Sequence, residues 1–167
     1  MTAELHIEQP NEKQRLFLLD KHKHVGFGGA RGGGKSWAVR TKAKLLCLRY
    51  PGIKVLIVRQ TYKELQNNHI DPLIPQLIGI ARYNKSDKVF TFMNGSKLCF
   101  GYCATDSDVN QYQGAEYDVV FLDEATQLSE YQMKTIVACL RGVNDFPKRV
   151  YYTCNPGGQG HQYIKRV

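Results

Sequence analysis

Eight consecutive residues carry the densest chemistry in the chain: Gly29-Ala30-Arg31-Gly32-Gly33-Gly34-Lys35-Ser36 fits G-x-x-x-x-G-K-[ST] without a gap. A short apolar run, His24-Val25-Gly26-Phe27, precedes it and a helical pattern follows. Glycines at these places let backbone N–H groups turn inward around a triphosphate, and the next helix adds its positive N-terminus. Lys35 would then reach the β and γ phosphates, Ser36 would ligate magnesium, and Arg31 inside the loop would neutralise phosphate charge. A flexible glycine-rich turn before a helix is the bland alternative, but it leaves unexplained why Lys-Ser closes the pattern at the right place.

A second constellation begins where the apolar run Val119-Val120-Phe121-Leu122 ends in Asp123-Glu124. Nucleotide hydrolysis needs one carboxylate for the magnesium shell and a neighbour that orients and deprotonates the attacking water. Alone, such a pair is more often a charge pair at a helix N-terminus. With the glycine loop in the same short chain, the catalytic assignment becomes the better one. Two carboxylates beside a polyphosphate repel it unless a cation intervenes, so magnesium follows from charge balance.

Other candidates are placed by the elements around them. Arg149 to Cys154 has strand composition and delivers Thr153 and Asn155 to its carboxyl end, where small polar groups could sense the γ-phosphate; Asn155-Pro156-Gly157-Gly158 equally makes a plain turn. Gln14 stands shortly before the first strand, where its amide could read an adenine edge, or simply face solvent on an N-terminal helix. Arg59 ends the second strand, where it could neutralise phosphate charge, and Arg141 is less well placed; as for most arginines, a surface position is the better reading for both. The histidines at 6, 22, 24, 69 and 161 show no metal-ligand spacing, and no Ser/His/Asp arrangement stands out.

The supporting elements alternate in type. Residues 35–50 have helical spacing and stop at Pro51-Gly52; Lys54 to Arg59 is a β-branched run suited to a sheet covered on both faces. Thr61 and Glu64 have capping-box spacing for another helix, which Pro72 and Pro75 constrain. Val89 to Met93 and Lys97 to Phe100 flank Asn94-Gly95, the signal of an antiparallel hairpin beside the nucleotide sheet. Asp118 to Leu122 is the next strand, and 129–140 reads as a helix with Ser129 and Gln132 at capping-box spacing. The order is that of an α/β protein, whose ligands gather outside the carboxyl ends of the strands.

Bulk properties set the frame. A chain of 167 residues that is 43% hydrophobic supports one domain, and a formal charge of +8 favours a polyanionic partner such as nucleic acid, a solvated basic surface being the alternative. The cysteines at 47, 99, 103, 139 and 154 sit mostly in apolar runs, which suits buried thiols in a reducing compartment. The start is polar and acidic, and no run is apolar enough to span a bilayer.

Together the segments P-N-E-K-Q at 10–14, GFGGARGGGKS at 26–36, VLIVRQTYKEL at 55–65, YQGAEYDVVFLDEATQL at 112–128 and YYTCNPGGQGH at 151–161 resemble the ATPase half of a phage terminase large subunit, a motor that packs viral DNA. The T-x-N-P segment discriminates best, because many other phosphate-loop proteins lack it. The resemblance implies a three-layer phosphate-loop NTPase fold of the additional-strand catalytic-glutamate type, ATP and magnesium as cofactors, and residues 1–167 as an ATPase domain without the nuclease domain such proteins carry next. It implies Gln14 as the adenine-reading residue, Lys35 and Ser36 on phosphate and metal, Asp123 on the metal, Glu124 as catalytic carboxylate, and Thr153 and Asn155 in the coupling motif. Its implied partners are double-stranded DNA, a portal protein, a small terminase subunit and further copies in a ring, in the cytoplasm of an infected bacterial host. Where many relatives have an activating arginine this chain has Gln113. A helicase-like ATPase acting on RNA and a nucleotide-gated assembly module are the competing functions.

Overall fold

The computed structural model describes residues 5, 7–28, 34–142, 144–155 and 158–166. Gly29, Ala30, Arg31, Gly32 and Gly33, named above for the phosphate loop, lie outside the described residues, as do Pro156 and Gly157.

Seven strands form one sheet in the order β1-β7-β6-β2-β5-β4-β3. β1 (His24–Gly28), β7 (Arg149–Cys154), β6 (Val119–Leu122), β2 (Lys54–Arg59) and β5 (Lys97–Tyr102) run parallel, while β4 (Val89–Phe92) and β3 (Ala81–Asn84) add antiparallel to the far edge. The Asn94-Gly95 hairpin forms as its residues demand, with Gly95 at φ 86° and the Phe92 N–H donating to the Ser96 carbonyl at 2.9 Å. Its second strand also pairs with β2, so the hairpin extends the main sheet. β3 has no strong signal in the sequence; its four residues only alternate between half-buried and exposed.

Strand alternation divides the core between the two faces. Val55, Ile57, Val119, Phe121 and Tyr151 face one layer with Phe17, Ala38, Val39, Leu46, Leu65 and Leu73. Leu56, Val58, Val120, Leu122, Val150 and Tyr152 face the other with Met133 and Ile136. The first layer holds α1 (Glu12–Leu19), α2 (Lys35–Arg49), α3 (Tyr62–Leu65) and α4 (Asp71–Gln76); the second holds α5 (Glu130–Val137) and a 3₁₀ helix at Asp106–Tyr112. This is why β2, β6 and β7 read as continuous apolar runs.

Two predicted helices differ in detail. α5 has its full capping box at Ser129 and Gln132 but stops at Val137 rather than 140, because the Cys139 carbonyl accepts from the Tyr117 N–H at 2.8 Å and Leu140 bridges to Tyr117. At Thr61 only half the box forms: the hydroxyl accepts from the Glu64 N–H at 3.3 Å, while the Glu64 carboxylate lies 3.8 Å from Arg59. Between α3 and α4 the helix widens into a π turn over Gln66–Ile70, where the Asp71 N–H reaches back to the Gln66 carbonyl. Pro72 has no N–H to offer the Asn68 carbonyl, which accepts from Arg40 Nη1 instead. A last helix, α6 (His161–Arg166), follows the turn after β7.

Candidate active site

The carboxyl ends of four neighbouring parallel strands, β1, β7, β6 and β2, bring the candidate residues to one edge. β7 lies between β1 and β6, so its last residues fall between the start of α2 and Asp123-Glu124. Asn155 occupies that middle position. Its Oδ1 accepts from Lys35 Nζ at 2.9 Å and its Nδ2 donates to Glu124 Oε2 at 3.3 Å, so one amide joins the lysine to the catalytic carboxylate candidate.

Glu124 itself is half-buried and has φ 53° and ψ 50°, a left-handed conformation costing a non-glycine residue about 1 kcal/mol or more. The Thr153 hydroxyl holds that backbone in place, accepting from the Glu124 N–H at 3.0 Å and donating to Asp123 Oδ1. Thr153 and Asn155 therefore tie both acidic residues to β7, as their place at the strand end suggests.

Asp123 is fully buried, and its Oδ2 accepts from Ser36 Oγ at 3.0 Å, Arg59 Nη1 at 3.2 Å and His69 Nε2 at 2.7 Å. Burial alone would raise this carboxyl; His69, the Arg59 guanidinium and the Thr153 hydroxyl outweigh it and hold the group well below the usual carboxylate range. His69, also wholly buried, is pushed below its ordinary value by desolvation, with Arg40 and Arg59 acting the same way against the pull of Asp123. Because an ionised carboxylate only accepts, Nε2 carries the proton of this contact.

One of these residues, His69, escapes a reading of the sequence, and a second is read only in part. The sequence places Arg59 at a strand end, with the surface as its more frequent setting; it is buried and its guanidinium meets Asp123. His69, which has no ligand spacing, meets the same carboxylate, and no local pattern announces the π turn that carries it.

Gln14 lies beside the end of the glycine loop. Its Nε2 donates to the Gly34 carbonyl at 3.2 Å, and its Oε1 accepts from the Asn11 N–H at 2.9 Å to complete the capping box of α1. One N–H and one lone pair remain for a base edge. Gly34 begins α2 at φ 72°, a backbone conformation that calls for glycine, and a Cβ there would push aside the Gln14 amide, whose Nε2 would lie 2.1 Å away.

Magnesium fits this donor set. Ser36 Oγ and an ionised Asp123 are hard oxygen ligands beside Lys35, and among the described residues no group of three or more His, Cys, Asp or Glu could hold a metal without outside ligands. That suits an ion whose other ligands are nucleotide phosphates and water.

A parallel sheet with a strand inserted between the loop strand and the Asp-Glu strand, and Lys-Ser opening the helix opposite that pair, defines a phosphate-loop NTPase fold. The family model for the phage terminase large subunit matches residues 21–167, and the chain belongs to that family. Among solved structures it is similar to the large terminase of a thermophilic bacteriophage, with TM-score 0.77 and 20% identity over 95% of this chain and 42% of that one. The ATPase domain of the Thermus phage P74-26 large terminase gives TM-score 0.71 and 18% identity over 90% of this chain and 66% of that one. The HK97 bacteriophage large terminase gives 0.66 and 15% over 88% and 33%. The chain spans less than half the length of the thermophilic-phage protein. A search of the curated proteins finds no match.

Proposed function

We propose that the chain is the ATP-hydrolysing portion of a viral DNA-packaging motor, a single ATPase domain that uses magnesium. The observation that carries this is the amide of Asn155 joining Lys35 to Glu124 beside the Ser36–Asp123 pair. Lys35 would bind the β and γ phosphates, Ser36 and Asp123 would hold magnesium, Glu124 would take the proton of the attacking water, and Gln14 would read the base. Magnesium would draw off phosphate charge as the γ-phosphoryl leaves. Gly29, Ala30, Arg31, Gly32, Gly33 and Gly34 would supply the N–H cradle, and Arg31 a further positive charge. Asn155 exchanges its partners when a γ-phosphate enters between Lys35 and Glu124, which makes it and Thr153 the start of the path from nucleotide to movement. The thermophilic-phage large terminase has been solved with ADP and with ATP-gamma-S, which supports the same ligand class here.

Double-stranded DNA, a portal protein, a small terminase subunit, a homo-oligomeric ring and the host cytoplasm belong to this proposal through family membership. No helix among the described residues is long and apolar enough to cross a membrane. ATP turnover measured without nucleic acid, with duplex DNA and with single-stranded RNA tests the function: stimulation by duplex DNA is expected, stimulation by RNA alone would favour a helicase-like enzyme, and strict dependence on protein concentration would reveal a site completed by a neighbour.

A further inference from the structure

His69 comes from an element with no other part in the site, yet its imidazole is wholly buried and its Nε2 lies 2.7 Å from Asp123 Oδ2. The other ring nitrogen, Nδ1, is buried with no partner. An unpartnered polar atom in a protein interior is unfavourable, and a leucine in the same space would avoid it. The imidazole is therefore explained by what Nε2 does. Its mount is as unusual as its burial: the π turn Gln66–Ile70 rotates the helix relative to an α-helical path, and such turns collect at functional sites.

Three donors converge on Oδ2 and the Thr153 hydroxyl takes Oδ1, so the carboxylate plane of Asp123 is held at both oxygens. Of the three, Ser36 would itself turn to the metal, leaving Arg59 and His69 to keep Oδ2 in place. Apart from Asp123 itself, Arg59 has only Glu64 as a counter-charge, 3.8 Å away, and its Nε is without a partner. The shorter contact, from the more rigid and more buried group, is that of His69.

We propose that His69, mounted on the π turn, is a positioning residue that orients the Asp123 carboxylate toward magnesium. The inference rests on the nucleotide-site function above, and it adds a residue from outside the phosphate loop and the Asp-Glu strand. Groups that orient a metal ligand typically carry about 10–100-fold in metal affinity.

The test compares His69→Gln with His69→Asn. Both are buried amides, but only the glutamine side chain places an N–H where Nε2 stands; the asparagine amide falls near Nδ1. Affinity for ATP-gamma-S is measured by calorimetry with magnesium and with EDTA. The expected result is that His69→Asn loses about ten-fold or more of the affinity gained on adding magnesium, keeps its EDTA affinity within about two-fold, and that His69→Gln retains the gain within about three-fold. The magnesium concentration for half-maximal turnover should rise in His69→Asn alone. Equal losses in the two variants, or an EDTA affinity that falls with the magnesium affinity, would overturn the proposal. If neither variant folds, His69 is a core residue and the proposal also fails. If only His69→Gln folds, loss of the magnesium gain in that variant decides against it and retention supports it. Wild-type protein that binds no ATP-gamma-S in either condition would overturn the nucleotide site itself, a result distinct from any loss confined to the variants.

Discussion

At the scale of single residues, the Asn155 amide stands between Lys35, the proposed phosphate-binding group, and Glu124, the proposed proton acceptor. Lys35→Ala should weaken nucleotide binding and abolish turnover, because no other described group stands in place of Nζ. Glu124→Gln should keep binding and lower turnover by about two to four orders of magnitude, the range of a lost general base. Equilibrium binding and steady-state ATPase rates on the same preparations separate the two, and normal hydrolysis by Glu124→Gln would remove that residue from the chemistry. Thr153→Val removes a donor from the buried Asp123 and an acceptor from the Glu124 N–H, so thermal or denaturant unfolding should show a loss of about 1–3 kcal/mol. The positions of Lys35 and Ser36 and of Asp123 and Glu124 are legible in the sequence because each pair is contiguous, where backbone geometry links spacing to position, while Gly29 to Gly33 lie outside the described residues. Arg59 and His69 reach Asp123 from 64 and 54 residues away, and only the sheet order brings them there.

At the scale of elements, α2 is fastened to its neighbours by buried lysines that its helical pattern does not reveal. Lys42 Nζ donates to the Leu18 carbonyl at the end of α1, and Lys44 Nζ donates to Gln76 Oε1 of α4 at 2.7 Å. Burial pushes both down to about 8. An unfolded lysine keeps its proton to about pH 10.4, so between pH 8 and that value the unfolded chain binds more protons and these two groups make stability rise with pH. The buried thiols act oppositely above about pH 9, Cys47 being pushed up to about 12 and Cys99 to about 11 by burial. The lysine contribution is therefore measured as the difference in unfolding free energy between wild type and Lys42→Met/Lys44→Met: it should shift in favour of the wild type from pH 8 to 10, and a flat difference would show that the lysines titrate normally. The turn after β7 is a second fastening. A Cβ on Gly160 would lie 2.3 Å from the Leu128 carbonyl and 2.6 Å from Met133 Cε, so Gly160→Ala should cost about 1–3 kcal/mol in the same unfolding assay. Most strands, α2 and the hairpin are visible in the sequence as patterns of period or of β-branched runs. β3, α6 and the π turn are not, because they are short and are set by contacts with distant parts of the chain.

At the scale of the whole molecule, the sheet gathers the candidate nucleotide residues at one edge and leaves most of the remaining charge of the described residues on the outside. Lys35, Lys42, Lys44 and Arg59 are buried, and so are Asp118 and Asp123, which still leaves a positive surplus from 23 basic and 15 acidic residues. A surface with that surplus meets a duplex chiefly through phosphates, which fix no sequence and release counterions as they bind. If about four phosphates are neutralised, affinity for duplex DNA should fall by about two orders of magnitude between 50 and 200 mM salt, as the linear dependence of log affinity on log salt requires. Competition with unrelated duplexes should change it little. The measurement is fluorescence anisotropy of a labelled duplex across that salt range, with and without ATP-gamma-S and magnesium. A motor must couple its nucleotide to its grip on the track, so the bound nucleotide should shift the DNA affinity, and by linkage DNA must shift nucleotide affinity by the same factor. Binding that ignores salt, or that depends on one base sequence, would contradict a packaging motor; a DNA affinity that nucleotide leaves unchanged would put the coupling outside this chain.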